Sequence, residues 1–193
     1  MARVQRRVLI GAVAAALLLA GAGAATLIRA PAPQRADTPP PLAGSYAKFT
    51  VNEERSPAPE AGFTVDGKEA SLANFRGRLV LVNFWATWCS PCVAEMPSLD
   101  RLQGALGGEG VMVLTLSEDR NPAVIEPFFA QHGLRNLTQA HDPSAKLSRA
   151  FGIRGLPTTI LLDRQGREVG RIEGPAEWDS PEAQALVRHY ARS

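Results

Sequence analysis

The chain has little of the chemistry that metal centres and disulfide scaffolds require. Its 193 residues include two cysteines and three histidines, which are too few for a multinuclear metal site. A zinc site needs about four ligands, and His132, His141 and His189 are not spaced as a zinc pair. We therefore predict no metal and no cofactor, and we interpret the two cysteines at positions 89 and 92 as a redox pair rather than a scaffold of crosslinks.

Neither sign of charge dominates the sequence. The 21 basic residues are balanced by 19 acidic ones, which gives a formal net charge of +2 at pH 7. A basic run interleaved with aromatic residues would favour nucleic-acid binding, and the sequence contains no such run. Nucleic acid is therefore not a predicted partner, and the length fits one domain with additional segments.

Charged side chains are absent from one long segment near the N-terminus, residues 8–28. As a helix this segment would span about 32 Å, close to the hydrocarbon thickness of a bilayer. Arginines within residues 1–7 predict a cytoplasmic N-terminus. A cleaved signal peptide is the alternative, because Ala22–Ala24 offers small residues to a peptidase. We favour a retained transmembrane anchor, since the apolar run is longer than a signal segment normally is. Both interpretations predict that the remainder of the chain is exported.

A proline-rich stretch follows the apolar segment. Residues 29–56 carry five prolines and no apolar periodicity, so they predict an extended linker. The folded domain is predicted to occupy residues 57–193.

The two cysteines lie where a predicted strand meets a predicted helix. The apolar run Leu79–Phe84 is typical of a buried strand, and apolar residues at helical spacing from Val93 to Leu106 predict a helix. The free amides and the dipole of that helix would favour a thiolate on Cys89, which is the predicted nucleophile. Cys92, about one turn further on, is the predicted resolving thiol. A structural disulfide is the alternative, but so small a loop adds little stability.

Strands and helices alternate along the rest of the domain. Further buried strands are predicted at Val111–Leu116 and Thr158–Leu162, and the segment after the second of these returns as a hairpin. An earlier hairpin is predicted from Phe63–Val65 and Lys68–Ala70, because the intervening Asp-Gly suits a primed turn. This order of elements indicates an α/β fold with a mixed sheet.

Several of these stretches together resemble the thioredoxin superfamily, and within it the TlpA-like branch of membrane-anchored thiol:disulfide reductases. The stretches that carry the resemblance are Val82–Trp88, Cys92–Pro97, Gly155–Thr158 and Gly174–Trp178. The resemblance runs from about residue 57 to 193. It implies a thioredoxin fold, with a mixed central sheet flanked by helices, an N-terminal β-hairpin and a central insertion around Glu118–His141.

The resemblance also implies which residues meet the substrate. Trp88, Leu156 and Pro157 would form the substrate-binding surface, with Pro157 after a cis peptide bond beside the sulfurs. The backbone next to this proline would pair with an extended substrate strand. The alternative is an ordinary proline at the start of a strand.

One position departs from ordinary thioredoxins, in which a buried aspartate occupies the place of Asn83. An asparagine cannot take up or release a proton. Glu95 is the predicted replacement and the third catalytic residue, because it lies three residues after Cys92 on the same helix face. Burial would raise its pKa and suit it to exchange protons with the Cys92 sulfur. The alternative is an acid that only complements the helix dipole.

The resemblance implies a periplasmic reductase that is anchored in the bacterial inner membrane and kept reduced by a membrane electron donor. Its predicted substrates are the copper-site cysteines of a Sco-type copper chaperone and of cytochrome oxidase subunit II. Haem-site cysteines of apocytochrome c are the alternative substrate. An oxidant, a thioredoxin-like binding module with a non-cycling disulfide, and a peroxidase are further alternatives.

Overall fold

The computed structural model describes residues 44–192 of the chain. Within these residues eight strands form one sheet. The strands are β1 Thr50–Val51, β2 Phe63–Val65, β3 Lys68–Ala70, β4 Leu79–Trp85, β5 Val111–Ser117, β6 Thr138–His141, β7 Thr158–Leu162 and β8 Glu168–Glu173. The α-helices of the same part of the chain are α1 Ser90–Leu106, α2 Ile125–His132, α3 Lys146–Ala150 and α4 Pro181–Ala191.

The predicted N-terminal segment 1–7, the predicted membrane span 8–28 and most of the predicted linker lie outside the described residues. From residue 44 to residue 192, none of the helices combines the length and the apolar character needed to cross a bilayer.

The sheet is mixed, which confirms the predicted α/β class. Its strand order is β1-β8-β7-β4-β5-β6-β2-β3. The pairs β4–β5 and β5–β6 are parallel, and β4–β7 is antiparallel. Every residue of β4 and of β5 is buried, because these central strands are covered on both faces. Their sequences are therefore nearly continuous apolar runs.

Alternate residues of β4 enter two different parts of the core. Leu81 and Trp85 belong to one cluster, with apolar residues of α1, α2 and α4. Val82 and Phe84 belong to a second cluster, together with Leu147 of α3. The two-residue period of a strand produces this division. Helix α1, which contains Cys92 and is capped by Cys89, therefore lies on the face of Leu81 and Trp85.

The folded domain begins before the boundary that the sequence predicted at residue 57. Tyr46 and Phe49 are buried, and β1 pairs with β8. A side chain at Gly170 would collide with the Phe49 ring and would come within 2.6 Å of the Thr50 carbonyl oxygen, so glycine permits this close approach. The sequence did not reveal the segment, because two isolated aromatic residues produce no periodicity.

The predicted N-terminal hairpin is confirmed as β2 and β3. Asp66 and Gly67 have φ values of 49° and 73°. A primed turn requires positive φ at both central residues, which is why this dipeptide closes the hairpin.

The predicted central insertion contributes α2 and β6. Its Phe129 ring lies 5.8 Å from the ring of Trp85, the last residue of β4. An oxygen of the Asp100 side chain, on α1, accepts the backbone amides of Arg135 and Asn136 at 2.8 and 2.7 Å. The insertion is thereby tied to the helix that carries the cysteines.

Candidate active site

The centre of the site is a disulfide between Cys89 and Cys92, with their Cα atoms 5.2 Å apart. Cys89 caps the N-terminus of α1, and its sulfur accepts the backbone amide of Cys92 at 3.3 Å. Cys89 is 6% exposed, whereas Cys92 is fully buried. Of the two cysteines, Cys89 is thus the more exposed, and its sulfur receives the stabilisation that a helix N-terminus gives to a thiolate.

Local sequence explains why the cysteines lie at this junction. The turn after β4 is closed by a hydrogen bond from the Cys89 amide to the Ala86 carbonyl, at 3.1 Å. Pro91 falls in the first turn of α1, where no partner is required for the amide that proline lacks. The helix therefore starts immediately after Cys89, which places Cys92 one turn further in.

Glu95 is buried beneath this junction, with 4% of its surface exposed. Its Oε1 accepts the Asn83 side-chain amide at 2.8 Å, and its Oε2 accepts the Ala176 amide at 3.0 Å and the Trp178 indole N–H at 3.2 Å. Burial raises the pKa of Glu95 from 4.5 to about 7, although these hydrogen bonds oppose the rise by favouring the ionised form. The carboxyl is therefore half-ionised close to neutral pH.

The hydrogen bonds of Glu95 do not reach the cysteines. In the described part of the chain, the hydrogen-bond partners of its carboxyl are Asn83, Ala176 and Trp178. The cysteines are oxidised here, so the Cys92 sulfur carries no proton to share. An open groove of about 250 Å³ is lined by Ala94, Glu95, Pro175, Ala176 and Glu177. Glu95 therefore forms part of the wall of a groove that is open to solvent.

The segment Gly174–Trp178 is held against Glu95 from several sides. The Trp178 amide donates to the Ser98 hydroxyl at 3.0 Å, and that hydroxyl donates to the Glu95 carbonyl at 2.7 Å. The Tyr46 hydroxyl donates to the Glu177 carbonyl at 2.6 Å, and the Tyr46 ring meets the Trp178 ring edge-on at 5.7 Å. Burial raises the pKa of Tyr46, so this hydroxyl stays protonated as a donor.

Trp178 lies in one of the stretches that carry the family resemblance, but the sequence predicted no role for it. The sequence did not indicate that Tyr46 belongs to the site. An indole N–H donates to Glu95 from 83 residues further along the chain. A tryptophan next to two acidic residues near the end of the domain was the available signal.

The predicted substrate-contacting residues differ in exposure. Trp88, directly before Cys89, is 69% exposed. Leu156 is half-buried and packs against both core clusters. Pro157 is buried, and the Leu156–Pro157 peptide bond is cis, as the family resemblance implied. Trp88 is the only large aromatic side chain that the described residues expose.

Among residues 44–192, no cluster of three or more histidine, cysteine or acidic side chains is arranged to hold a metal ion. Dithiol–disulfide exchange needs no such ion, because the nucleophile, the leaving group and the electron pair all belong to sulfur atoms.

A family model described as Redoxin matches residues 52–187. Among curated proteins, the chain is 32% identical over 132 residues to the thiol-disulfide oxidoreductase ResA of Bacillus cereus, covering 68% of this chain and 76% of the relative. The ResA of Geobacillus kaustophilus is 34% identical over 128 residues, covering 66% of this chain and 72% of the relative.

Solved structures that superpose on this chain are also thiol:disulfide exchange proteins. A thiol:disulfide interchange protein of the thioredoxin family from Chlorobium tepidum superposes with a TM-score of 0.61 at 26% identity, covering 70% of this chain and 96% of the other. The thioredoxin domain of a Bacteroides vulgatus thiol-disulfide oxidoreductase also gives 0.61, at 25% identity, with 70% and 96% covered. The predicted thioredoxin fold is thereby confirmed.

Proposed function

The chain belongs to the Redoxin family and is a thiol:disulfide oxidoreductase of the thioredoxin fold, and from this premise we propose that it is a membrane-tethered periplasmic reductase of copper-site cysteines in respiratory oxidase maturation. The observation that carries the reductase chemistry is the Cys89–Cys92 disulfide at the N-terminus of α1, beside the buried Glu95.

The reaction begins with the reduced protein. The Cys89 thiolate attacks one sulfur of a substrate disulfide, which forms a mixed disulfide and releases the other substrate sulfur as a thiolate. Cys92 then loses its proton and attacks the Cys89 sulfur, which forms the Cys89–Cys92 disulfide and frees the second substrate thiolate. Two electrons pass to the substrate, and a dithiol donor in the membrane returns two electrons to this protein.

The assignment of Cys89 as the nucleophile is supported by electrostatics and exposure. The Cys92 amide donates to the Cys89 sulfur, and the helix terminus favours negative charge there. The resolving role of Cys92 is supported by its complete burial, since a substrate sulfur on another protein cannot reach it.

Glu95 is proposed as the group that exchanges the proton of Cys92. Its pKa of about 7 lets the carboxyl act as acid or base at neutral pH. Asn83, which donates to Glu95, cannot take this role, because an amide does not titrate in this range. We propose that solvent protons reach Glu95 along the groove that it lines together with Ala94 and Glu177.

Trp88, Leu156 and Pro157 are proposed as the substrate contacts. Trp88 offers an exposed aromatic surface directly before the nucleophile, and aromatic side chains are frequent anchors in protein interfaces. Pro157 directly precedes β7, and we propose that the backbone before it pairs with an extended substrate segment.

Membrane tethering and periplasmic location are proposed from the sequence. Residues 8–28 are long and apolar enough for one span, and the arginines before them favour a cytoplasmic N-terminus. Residues from 29 up to the folded domain would then let the domain reach partners at the membrane surface. A protease-protection assay on spheroplasts tests the orientation, since the domain should be digested only from the periplasmic side.

The preferred substrate is tested by direct competition. Reduced protein is offered an oxidised copper domain of oxidase subunit II together with an oxidised haem-site peptide of apocytochrome c, and the thiols formed on each are counted over time. The proposal predicts faster reduction of the copper domain. Faster reduction of the haem-site peptide would instead assign the protein to cytochrome c maturation.

Insulin reduction with dithiothreitol as the electron source distinguishes a reductase from a binding module with a non-cycling disulfide. The proposed reductase accelerates insulin precipitation, and Cys92→Ser does not. Equal rates for the wild type, Cys92→Ser and the blank reaction would favour the binding module.

A further inference from the structure

Asp119 holds the turn that leads into the active-site cysteines. It lies two residues beyond the end of β5 and is 4% exposed. Its Oδ2 accepts the Thr87 backbone amide at 2.9 Å, and its Oδ1 accepts the Thr87 hydroxyl at 2.7 Å. Thr87 immediately precedes Trp88, so both hydrogen bonds act on the residue next to the exposed indole.

The carboxylate is itself fixed by the end of the sheet. The Ser117 hydroxyl donates to Asp119 Oδ2 at 2.8 Å, and the Asp119 amide donates to the Ser117 hydroxyl at 3.0 Å. The His141 Nε2 lies 2.7 Å from the Asp119 carbonyl oxygen and donates to it. Since Ser117 is paired with Trp85 across the β4–β5 ladder, Asp119 is anchored on strands and not on a free loop.

These contacts make the turn after β4 dependent on a residue that lies just beyond the end of the neighbouring strand, β5. A buried carboxylate with charge-assisted hydrogen bonds positions its donors more firmly than neutral partners would. Without it, the Thr87 amide and hydroxyl would lose their acceptor, and the turn that carries Trp88 would keep the Cys89–Ala86 hydrogen bond but lose these two. The indole has most of its surface in solvent, so little packing of its own replaces that support.

We propose that Asp119 is a positioning residue for substrate docking, which holds the Thr87 turn so that Trp88 presents its ring beside the Cys89 nucleophile. This inference rests on the proposed role of Trp88 as a substrate contact. It concerns recognition of protein disulfides and not the sulfur chemistry, because the hydrogen bonds described for Asp119 go to Thr87, Ser117 and His141 and not to the cysteines.

The test compares a large and a small disulfide substrate in the intact chain. Insulin needs a docking surface, whereas oxidised glutathione needs little beyond an accessible thiolate. For Asp119→Ala we expect KM for insulin to rise about ten-fold. This rise corresponds to losing an aromatic anchor that contributes about ten-fold to the affinity for the substrate. The rate constant with oxidised glutathione should fall by a much smaller factor, and kcat for insulin should change little.

Two further variants separate positioning from a general loss of structure. Asp119→Asn keeps one acceptor for Thr87 and should recover part of the insulin KM. Asp163→Ala is the matched control, because Asp163 is also buried and also holds a turn, accepting the amides of Gln165 and Arg167. Its turn lies at the opposite end of the sheet, where Leu162 pairs with Val80, so its KM for insulin should match that of the wild type.

The effects of Asp119→Ala and Trp88→Ala should not add in the double variant, because both act through the same indole. Additive effects, equal losses with both substrates, or a KM change in Asp163→Ala of the same size would overturn the proposal. If Trp88→Ala alone leaves the insulin KM unchanged, the substrate contact itself is wrong. If Trp88→Ala raises KM but Asp119→Ala does not, the contact stands and the positioning role of Asp119 fails.

Discussion

Replacing Glu95 with glutamine removes a buried titratable group while nearly preserving its shape. Burial raises the pKa of Glu95 from 4.5 to about 7 in the folded protein, whereas in the unfolded chain the carboxyl is exposed and titrates near its ordinary value. One pH unit corresponds to about 1.4 kcal/mol. The two states therefore differ in proton affinity by about 3 kcal/mol.

The sign of the effect follows from which state holds the proton. Between pH 4.5 and about 7 the folded protein keeps a proton on Glu95 that the unfolded chain has released. The stabilisation is fully present below pH 4.5 and is lost as the pH rises through about 7. We therefore expect the free energy of unfolding of the wild type to fall by about 3 kcal/mol, relative to Glu95→Gln, across this interval.

The assay is urea unfolding of the oxidised proteins at a series of pH values from below 4.5 to above 7. The oxidised form is chosen because disulfide-bonded cysteines do not titrate. Glu177→Gln is the control, since its exposed carboxyl lines the same groove and should leave the wild-type pH dependence intact. The reasoning is refuted if Glu95→Gln and the wild type lose stability in parallel across the whole interval.

The same variant should change turnover. General acid–base assistance is worth roughly 10²–10⁴-fold where proton transfer limits the rate. Thiol exchange depends less on proton transfer, so we expect the turnover rate of Glu95→Gln to fall by about 100-fold or less. An inflection near neutral pH in the wild-type pH–rate profile should disappear in the variant. Identical pH–rate profiles for the wild type and Glu95→Gln would mean that Glu95 has no role in proton transfer.

Three other predictions follow from the same contacts. Iodoacetamide should alkylate Cys89 of the reduced protein before Cys92, and faster labelling of Cys92 in peptide mass spectra would reverse the assigned roles. Trp178→Phe removes a donor that favours the ionised form of Glu95, so the pKa of Glu95 should rise further in the unfolding series; an unchanged or lower value would count against that hydrogen bond. Ser180→Ala removes the acceptor for the Ala183 amide at the start of α4 and should cost about 1 kcal/mol in unfolding, with insulin reduction unchanged at a temperature where the variant is folded.

The parts of the fold that were predictable have local causes. The strand β4, the helix α1 and the cysteine pair between them follow from residues adjacent in sequence, since a buried strand and a helix N-terminus leave short-range patterns. The hairpin around Asp66 and Gly67 was equally local. Glu95 was chosen as the proton-exchange candidate from its spacing to Cys92 and from Asn83 in place of the thioredoxin aspartate, whereas its burial was a condition of that hypothesis.

The parts that were not predictable depend on residues far apart in the chain. Ala176 and Trp178 reach Glu95 from 81 and 83 positions away, and no local pattern encodes such a contact. Asp119 bonds to Thr87 across 32 positions. Tyr46 lies in a stretch that reads as a linker, because its partners become neighbours only when the sheet has formed.

The most direct test of the proposed dithiol mechanism is to mix the fully reduced chain with an oxidised protein substrate, quench the reaction with acid and identify the products by intact mass. The wild type should yield substrate thiols and the Cys89–Cys92 disulfide. Cys92→Ser should stop at a mixed disulfide through Cys89, and Cys89→Ser should form none. A mixed disulfide through Cys92 as the main product of Cys89→Ser, or a wild type that remains reduced beside an oxidised substrate, would contradict the mechanism.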